Sequence, residues 1–304
     1  MIYVYNIIII YLDLIYLKLK IDWWQDMTKR LLLLILNIVI VCMFIGCYSS
    51  KQYNNYNQAN DELIIKFFDA GKADCILIGI QDKYIMIDTG LDKNKNEIST
   101  YLKSQGIDSL EYLILTHMDK DHIGGADEII NKFKINNLIQ PDYKKESNQY
   151  EEYEEAIEKS NIQPTLLHEE ISVKIDDVEI KICPPKKDEY KKSNDYSIIV
   201  EINYKDKSFL FMGDAEEERI KEFLKYNKKY FSVIKMPHHG RVNNMTENLI
   251  ENTKPQYSII TSSKEETADD KTILILEKYN VKNYFTENGD ITIKSDGKDI
   301  SISQ

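Results

Sequence analysis

Ten consecutive residues constrain this chain most tightly: Thr116-His117-Met118-Asp119-Lys120-Asp121-His122-Ile123-Gly124-Gly125. His117, Asp119, Asp121 and His122, all able to ligate a metal ion, lie within six residues, directly behind the apolar run Tyr112–Leu115. A strand that ends in a loop can deliver such side chains to one point, and the paired glycines permit a tight turn into the next element. Imidazole and carboxylate together suit Zn²⁺, Mn²⁺ or Fe and not Ca²⁺, which takes oxygen ligands. A chance cluster of Asp and His on a solvated loop needs neither the buried strand before it nor the glycines behind it.

Around this run the hydrophobic period alternates between two and about 3.6. Strands are expected at Leu63–Asp69, Cys75–Ile80, Tyr84–Asp88 and Glu111–Leu115, and helices at Asn96–Gln105, Ala126–Phe133 and Tyr150–Lys159. A second series follows. Its strands are Ser172–Ile175, Val178–Cys183, Ser197–Tyr204, Ser208–Met212, Phe231–Met236, Tyr257–Thr261, Lys282–Phe285 and Ile291–Ile293. Its helices are Ala215–Tyr226, Glu247–Asn252 and Asp269–Tyr279. Two mixed series that each open with hairpins imply two sheets packed face to face with helices outside.

The ten-residue run resembles the His-x-His-x-Asp-His signature of metallo-β-lactamase-fold hydrolases, with Asp119 in place of the second His. That replacement is similar to the metallo-hydrolase domain of the competence (DNA-uptake) ComEC proteins. Further matches follow in family order: Phe68–Asp74, Ile87-Asp88-Thr89-Gly90, Asn194-Asp195-Tyr196-Ser197, Phe211–Ala215 and Pro237-His238-His239-Gly240. The resemblance spans roughly residues 62–295. It implies an α+β fold, the αββα four-layer sandwich, and metal-dependent hydrolysis. It also implies two divalent ions, Zn²⁺ first and Mn²⁺ second.

By the same resemblance His117 and Asp119 hold one ion, Asp121 and His122 the other, and Asp214 bridges them. Such a pair can activate water and stabilise both attacking and leaving oxygens. His238 is expected as a further ligand of the second ion. His239, with Asp121, is expected to act catalytically, as a general acid or oxyanion donor, although the order of the two His roles stays open. Asp88 is expected to orient a ligating His without binding metal. Asn194 and Ser197 are candidates for touching substrate phosphate, or equally for forming a turn. Alone, Asp214 reads as a helix N-cap over the amides of Ala215–Glu218. Two departures stand out. The family's third His on the first ion has no equivalent, and Thr261-Ser262-Ser263 runs into Lys264-Glu265-Glu266 where a Gly-His-Pro element is common.

The N-terminal segments call for separate treatment. From Met27, the basic Thr28-Lys29-Arg30 precedes the apolar stretch Leu31–Ile45 and then Gly46-Cys47. Residues 27–46 resemble a bacterial lipoprotein signal, with Cys47 the lipidated residue of an extracytoplasmic, membrane-anchored protein; a plain membrane anchor is the alternative. Residues 47–61, rich in Asn, Gln, Tyr and Ser, read as a polar tether. Residues 1–26 are expected to lie upstream of the true start at Met27, or else to form an extra hydrophobic segment of roughly spanning length. Cys75 and Cys183 sit in apolar runs and are expected as buried thiols, with one disulfide in an oxidising compartment as the alternative. The chain has 39 Lys and Arg against 50 Asp and Glu, a net charge of −11. This speaks against coating nucleic acid non-specifically, which calls for basic surface.

The first functional expectation is therefore hydrolysis of a phosphodiester, nucleic acid first, outside the membrane. A second keeps the metals and changes the substrate to a phospholipid, a teichoic acid or a small ester. A third is a non-catalytic binding lipoprotein, against which Asp121, His122 and Asp214 argue.

Overall fold

Strand alternation places one set of β-branched side chains inward and leaves the other for covering helices, and both sets are buried here. The structure, a computed structural model, describes residues 62–304 and the isolated positions 14–18, 20, 23 and 27. The expectations for the signal, for the tether and for Cys47 lie outside the described residues, as does most of 1–26. Among the described residues no helix is long and apolar enough to cross a membrane.

Among the described residues fifteen strands form two sheets. The first runs in the order β15 (Ile300–Ser303), β14 (Ile291–Ser295), β1 (Leu63–Phe67), β2 (Cys75–Ile80), β3 (Lys83–Thr89), β4 (Ser109–Ile114), β5 (Lys134–Gln140) and β6 (Thr165–Leu166). The second runs β13 (Lys282–Phe285), β12 (Tyr257–Ile260), β11 (Val233–Lys235), β10 (Lys207–Phe211), β9 (Ile199–Tyr204), β8 (Val178–Cys183) and β7 (Ile171–Ile175). Each sheet opens with antiparallel hairpins and continues in parallel: β3–β4–β5 in one, β10–β11–β12–β13 in the other.

Ile65, Phe67, Ile76, Ile78, Ile85 and Ile87 of the first sheet pack against Ile180, Ile202, Phe209, Phe211 and Val233 of the second. Phe67 and Phe211 stack across the interface with centroids 6.1 Å apart. The opposite face of the first sheet is covered by helices Lys95–Ser104, Ala126–Lys132 and Asn148–Ser160. Helices Glu217–Tyr226, Thr246–Thr253 and Asp270–Lys278 cover the second. The result is the αββα four-layer sandwich. Each fully buried Ile contributes about 1.5–3 kcal/mol to it.

Three strands lie outside the expected set. β5 carries Asn136-Asn137, poor strand formers, and is held by pairing along β4. β6 has two residues, and β15 alternates Ile with Ser at an edge beside β14. Cys75 and Cys183 are buried free thiols, as expected.

Candidate metal centre

In both sheets the functional loops leave the C-terminal ends of parallel strands, so they meet at one edge of the sandwich. Thr116 to Ile123 follow β4, Gly213 to Glu216 follow β10, His238 and His239 follow β11, and Thr261 follows β12. A backbone bond ties the two halves: the Ile198 N–H donates to the Thr116 carbonyl at 2.9 Å. Close approach requires glycine at two points. A Cβ on Gly124 would lie 2.4 Å from the Asp92 nitrogen and 2.6 Å from the Lys120 carbonyl oxygen. Gly213 has φ +52°, and a Cβ there would meet Thr116 Oγ1 at 2.9 Å.

Ligand atoms of Asp121, His122, Asp214 and His239 all lie within 4.8 Å of one another. His122 Nε2 is 3.2 Å from Asp214 Oδ1. His239 Nε2 is 3.2 Å from Asp214 Oδ2 and 3.4 Å from Asp121 Oδ2. These are ion-pair distances without hydrogen-bond geometry. Nε2 of His117, His122 and His239 and Oδ1 of Asp214 are all buried and lack a hydrogen-bond partner. A buried polar atom without a partner is costly, and several aimed at one point are the arrangement a divalent cation satisfies. The residues present therefore fit a metal.

Partners on the far side of each ring fix its orientation. The buried Asp88 carboxylate accepts from the Thr116 N–H and hydroxyl, both at 2.7 Å, and faces His122 Nδ1 at 2.8 Å. His122 Nε2 is thereby left for the centre, the arrangement by which a carboxylate orients a ligating His. His239 Nδ1 lies 3.0 Å from the Thr261 carbonyl and 2.9 Å from its hydroxyl.

Electrostatics follow from burial and pairing. Burial disfavours charge on His122, yet Asp214 and Asp88 drive its pKa well above the usual value. Burial likewise opposes charge on His239, but Asp214 and Asp121 raise it. Burial pushes Asp214 and Asp121 upward too, and the facing imidazoles overcome this and hold both carboxyls below their ordinary range. His117 is lowered to about 3 by burial and by the charge on His122.

The structure rearranges several sequence expectations. His239, not His238, points into the cluster. Both residues have left-handed backbone, φ 53° and 49°, which sends neighbouring rings in different directions. The His238 ring stands at the rim, with Nε2 3.3 Å from Asn194 Nδ2 and 3.9 Å from Asp214. Burial lowers its pKa. Asp119 does not join the four: its oxygens take Lys145 Nζ at 2.7 Å and Ser193 Oγ at 3.2 Å. Ser197 is fully buried, and its hydroxyl accepts the Asp214 N–H at 3.0 Å, so it supports that carboxylate and does not face a ligand. Asn194 is half-buried at the rim and donates to Glu216 at 3.1 Å. The helix after Asp214 is capped by Asp195, which accepts the Glu216 and Arg219 N–H groups at 3.0 and 3.1 Å. Asp214 is thereby free of the capping role.

Asp74 and Lys235 complete the site and were not among the expected residues. Both are buried and form an ion pair. The Lys235 ammonium also donates to the Gly213 carbonyl at 3.0 Å and lies 3.7 Å from Asp214. Asp74 accepts from the Thr261 hydroxyl at 2.6 Å. The available signal was one Lys inside the apolar strand Phe231–Met236, since a charge buried there needs a partner. Concavity alone does not mark this centre: a cavity of about 750 Å³ lined by Glu201, Arg219 and Lys229 shares no residue with it.

Residues 68–263 match the model of the metallo-β-lactamase superfamily. The chain belongs to that superfamily. It is similar to ComE operon protein 3 of Bacillus subtilis, 23% identical over 250 residues, covering 75% of this chain and 32% of that protein. It is also similar to Recombination protein 2 of Haemophilus influenzae, 28% identical over 232 residues, covering 75% of this chain and 27% of that protein. The chain thus spans about a third of the length of these curated relatives or less. Among solved structures, the metallo-β-lactamase fold protein YhfI of Bacillus subtilis superposes with a TM-score of 0.53. That match is 9% identical and covers 77% of this chain and all of YhfI.

Proposed function

We propose that this superfamily member is a metal-dependent phosphodiesterase acting outside a bacterial membrane, with nucleic acid as the first-choice substrate. One observation carries the reading: Asp121, His122, Asp214 and His239 converge from three loops, and the buried Nε2 atoms of His122 and His239 and Oδ1 of Asp214 lack hydrogen-bond partners. Asp121, His122, Asp214 and His239 would hold one ion, Zn²⁺ or Mn²⁺, and His117 with Asp119 and Asp214 a second. Divalent ions held there supply Lewis-acid polarisation of a phosphoryl oxygen and lower the pKa of bound water.

The chain's own side chains do the rest. Asp88 and Thr261 hold His122 and His239 in register. At the rim His238, with its lowered pKa, is neutral at pH 7 and suited to accept or relay a proton. Lys145 places a cation beside the centre, where it can face a substrate phosphate. Tyr143 and Tyr196 stack at 4.2 Å next to it, an aromatic surface of the kind on which bases stack. Similarity to a protein named for recombination supports nucleic acid, while the net charge of −11 favours a smaller or non-nucleic phosphodiester. Membrane anchoring through Cys47 belongs to this proposal and is tested by whether Cys47→Ser releases the protein from membranes.

The test is turnover of bis-p-nitrophenyl phosphate by the full chain, with and without added Mn²⁺ or Zn²⁺. The proposal expects metal-dependent turnover that Asp121→Ala abolishes, together with cleavage of single-stranded DNA or RNA. Generic diester turnover without nucleic-acid cleavage moves the substrate to a lipid or teichoic-acid phosphodiester. No mutation-sensitive turnover refutes the enzyme.

A further inference from the structure

We infer that the two ion positions load unequally and that Lys145 is the reason, its ammonium competing with the second ion for Asp119. The inference rests on the metal reading above. Four donors, Asp121, His122, Asp214 and His239, are already gathered at one position. The other would draw on His117, whose buried Nε2 lacks a hydrogen-bond partner, with the nearby carboxylates of Asp214 and Asp119. Asp119 is engaged: Lys145 Nζ holds one oxygen at 2.7 Å and Ser193 Oγ the other at 3.2 Å, and Lys145 also reaches Ser193 at 3.2 Å.

Neighbouring contacts place the clamp. The Tyr143 hydroxyl accepts the Met118 N–H at 2.6 Å, tying the side chain two residues before Lys145 to the backbone of the residue before Asp119. Tyr143 also stacks on Tyr196, three residues beyond Ser193. Lys145 and Ser193 are therefore brought to Asp119 from two different loops. A second cation at His117 must displace an ammonium from its carboxylate and then sit beside it, and both effects weaken binding relative to the first ion. With one ion loaded, the Lys145 ammonium supplies the positive charge on the Asp119 side.

The experiment is calorimetric titration of the full chain, stripped with chelator, using Mn²⁺ alone and Zn²⁺ alone. Wild type should bind one equivalent tightly and a second at least tenfold more weakly. Lys145→Met should tighten the second at least tenfold and leave the first within twofold, with unchanged circular dichroism. Lys145→Arg, which keeps the charge, should behave as wild type. A measurement on the unsubstituted protein runs alongside: acetylation of Lys145 by acetic anhydride, read by mass spectrometry, should be slow at one equivalent and accelerate at two. Two equivalents of equal affinity overturn the inference while leaving the metal reading intact. So does a second equivalent indifferent to Lys145→Met, or acetylation unchanged between one and two. Failure to bind either ion refutes the metal reading itself.

Discussion

Replacing Lys235 with Met keeps the aliphatic stem and removes the charge, leaving Asp74 buried without its ammonium partner. Breaking a buried pair by removing one member typically costs about 3–5 kcal/mol, because the remaining charge is uncompensated. Here part of the compensation survives. Asp74 still accepts from Thr261 Oγ1 at 2.6 Å and lies 3.6 Å from His239 Nδ1 and 3.9 Å from His122 Nδ1. Asp214, 3.7 Å from the same ammonium, retains its contacts with both imidazoles. The loss should therefore fall near the lower end, about 3 kcal/mol. With a urea slope of about 2–3 kcal/mol per molar, the unfolding midpoint drops by roughly 1 M. Adding Asp74→Asn removes the orphaned charge, so the double variant should be more stable than Lys235→Met alone. A midpoint within about 0.3 M of wild type, or a double variant whose loss equals the sum of the two singles, would refute this account of the pair.

Three further outcomes follow from the same geometry. Gly124→Ala forces a methyl against the Asp92 nitrogen and the Lys120 carbonyl, so it should lower the melting temperature and impair metal retention together; metal retention equal to wild type contradicts it. Asp195→Ala removes the acceptor for two first-turn amides and should cost about 1 kcal/mol in urea unfolding, with bound metal little changed. Metal affinity should weaken as pH falls. His122 and His239 carry raised pKa values in the ion-free protein and must lose protons to ligate, whereas His117 is already neutral. Calorimetry at pH 7 in buffers of different ionisation enthalpy should register proton release, and identical heats across buffers would count against it.

What the sequence disclosed depended on how local each determinant is. The layering was legible because alternation and helical period are properties of short windows, and Ile65, Ile78 and Ile202 lie on the face their period assigns. Asp121, His122 and Asp214 were legible because the run after β4 and the Gly213-Asp214 pair carry their own context. The His238–His239 order was not, because it turns on two successive left-handed residues before a glycine, and no propensity distinguishes which ring turns inward. Asp119 read as a ligand because its partner Lys145 lies 26 residues away in an unremarkable loop. Ser197 looked polar and available, and only the packed structure shows its hydroxyl taken by the Asp214 amide. Asp74 lies in the loop before β2 of one sheet and Lys235 in β11 of the other, so their pairing could be seen only once the sheets were stacked.

His239, and not its neighbour His238, joins Asp121, His122 and Asp214 in the cluster suited to a metal ion. The most direct test of this is the metal content of the wild type, His239→Ala and His238→Ala after gel filtration in metal-free buffer. His239→Ala should emerge without tightly held metal, while His238→Ala should keep the wild-type amount. Metal lost from His238→Ala and retained by His239→Ala would contradict it.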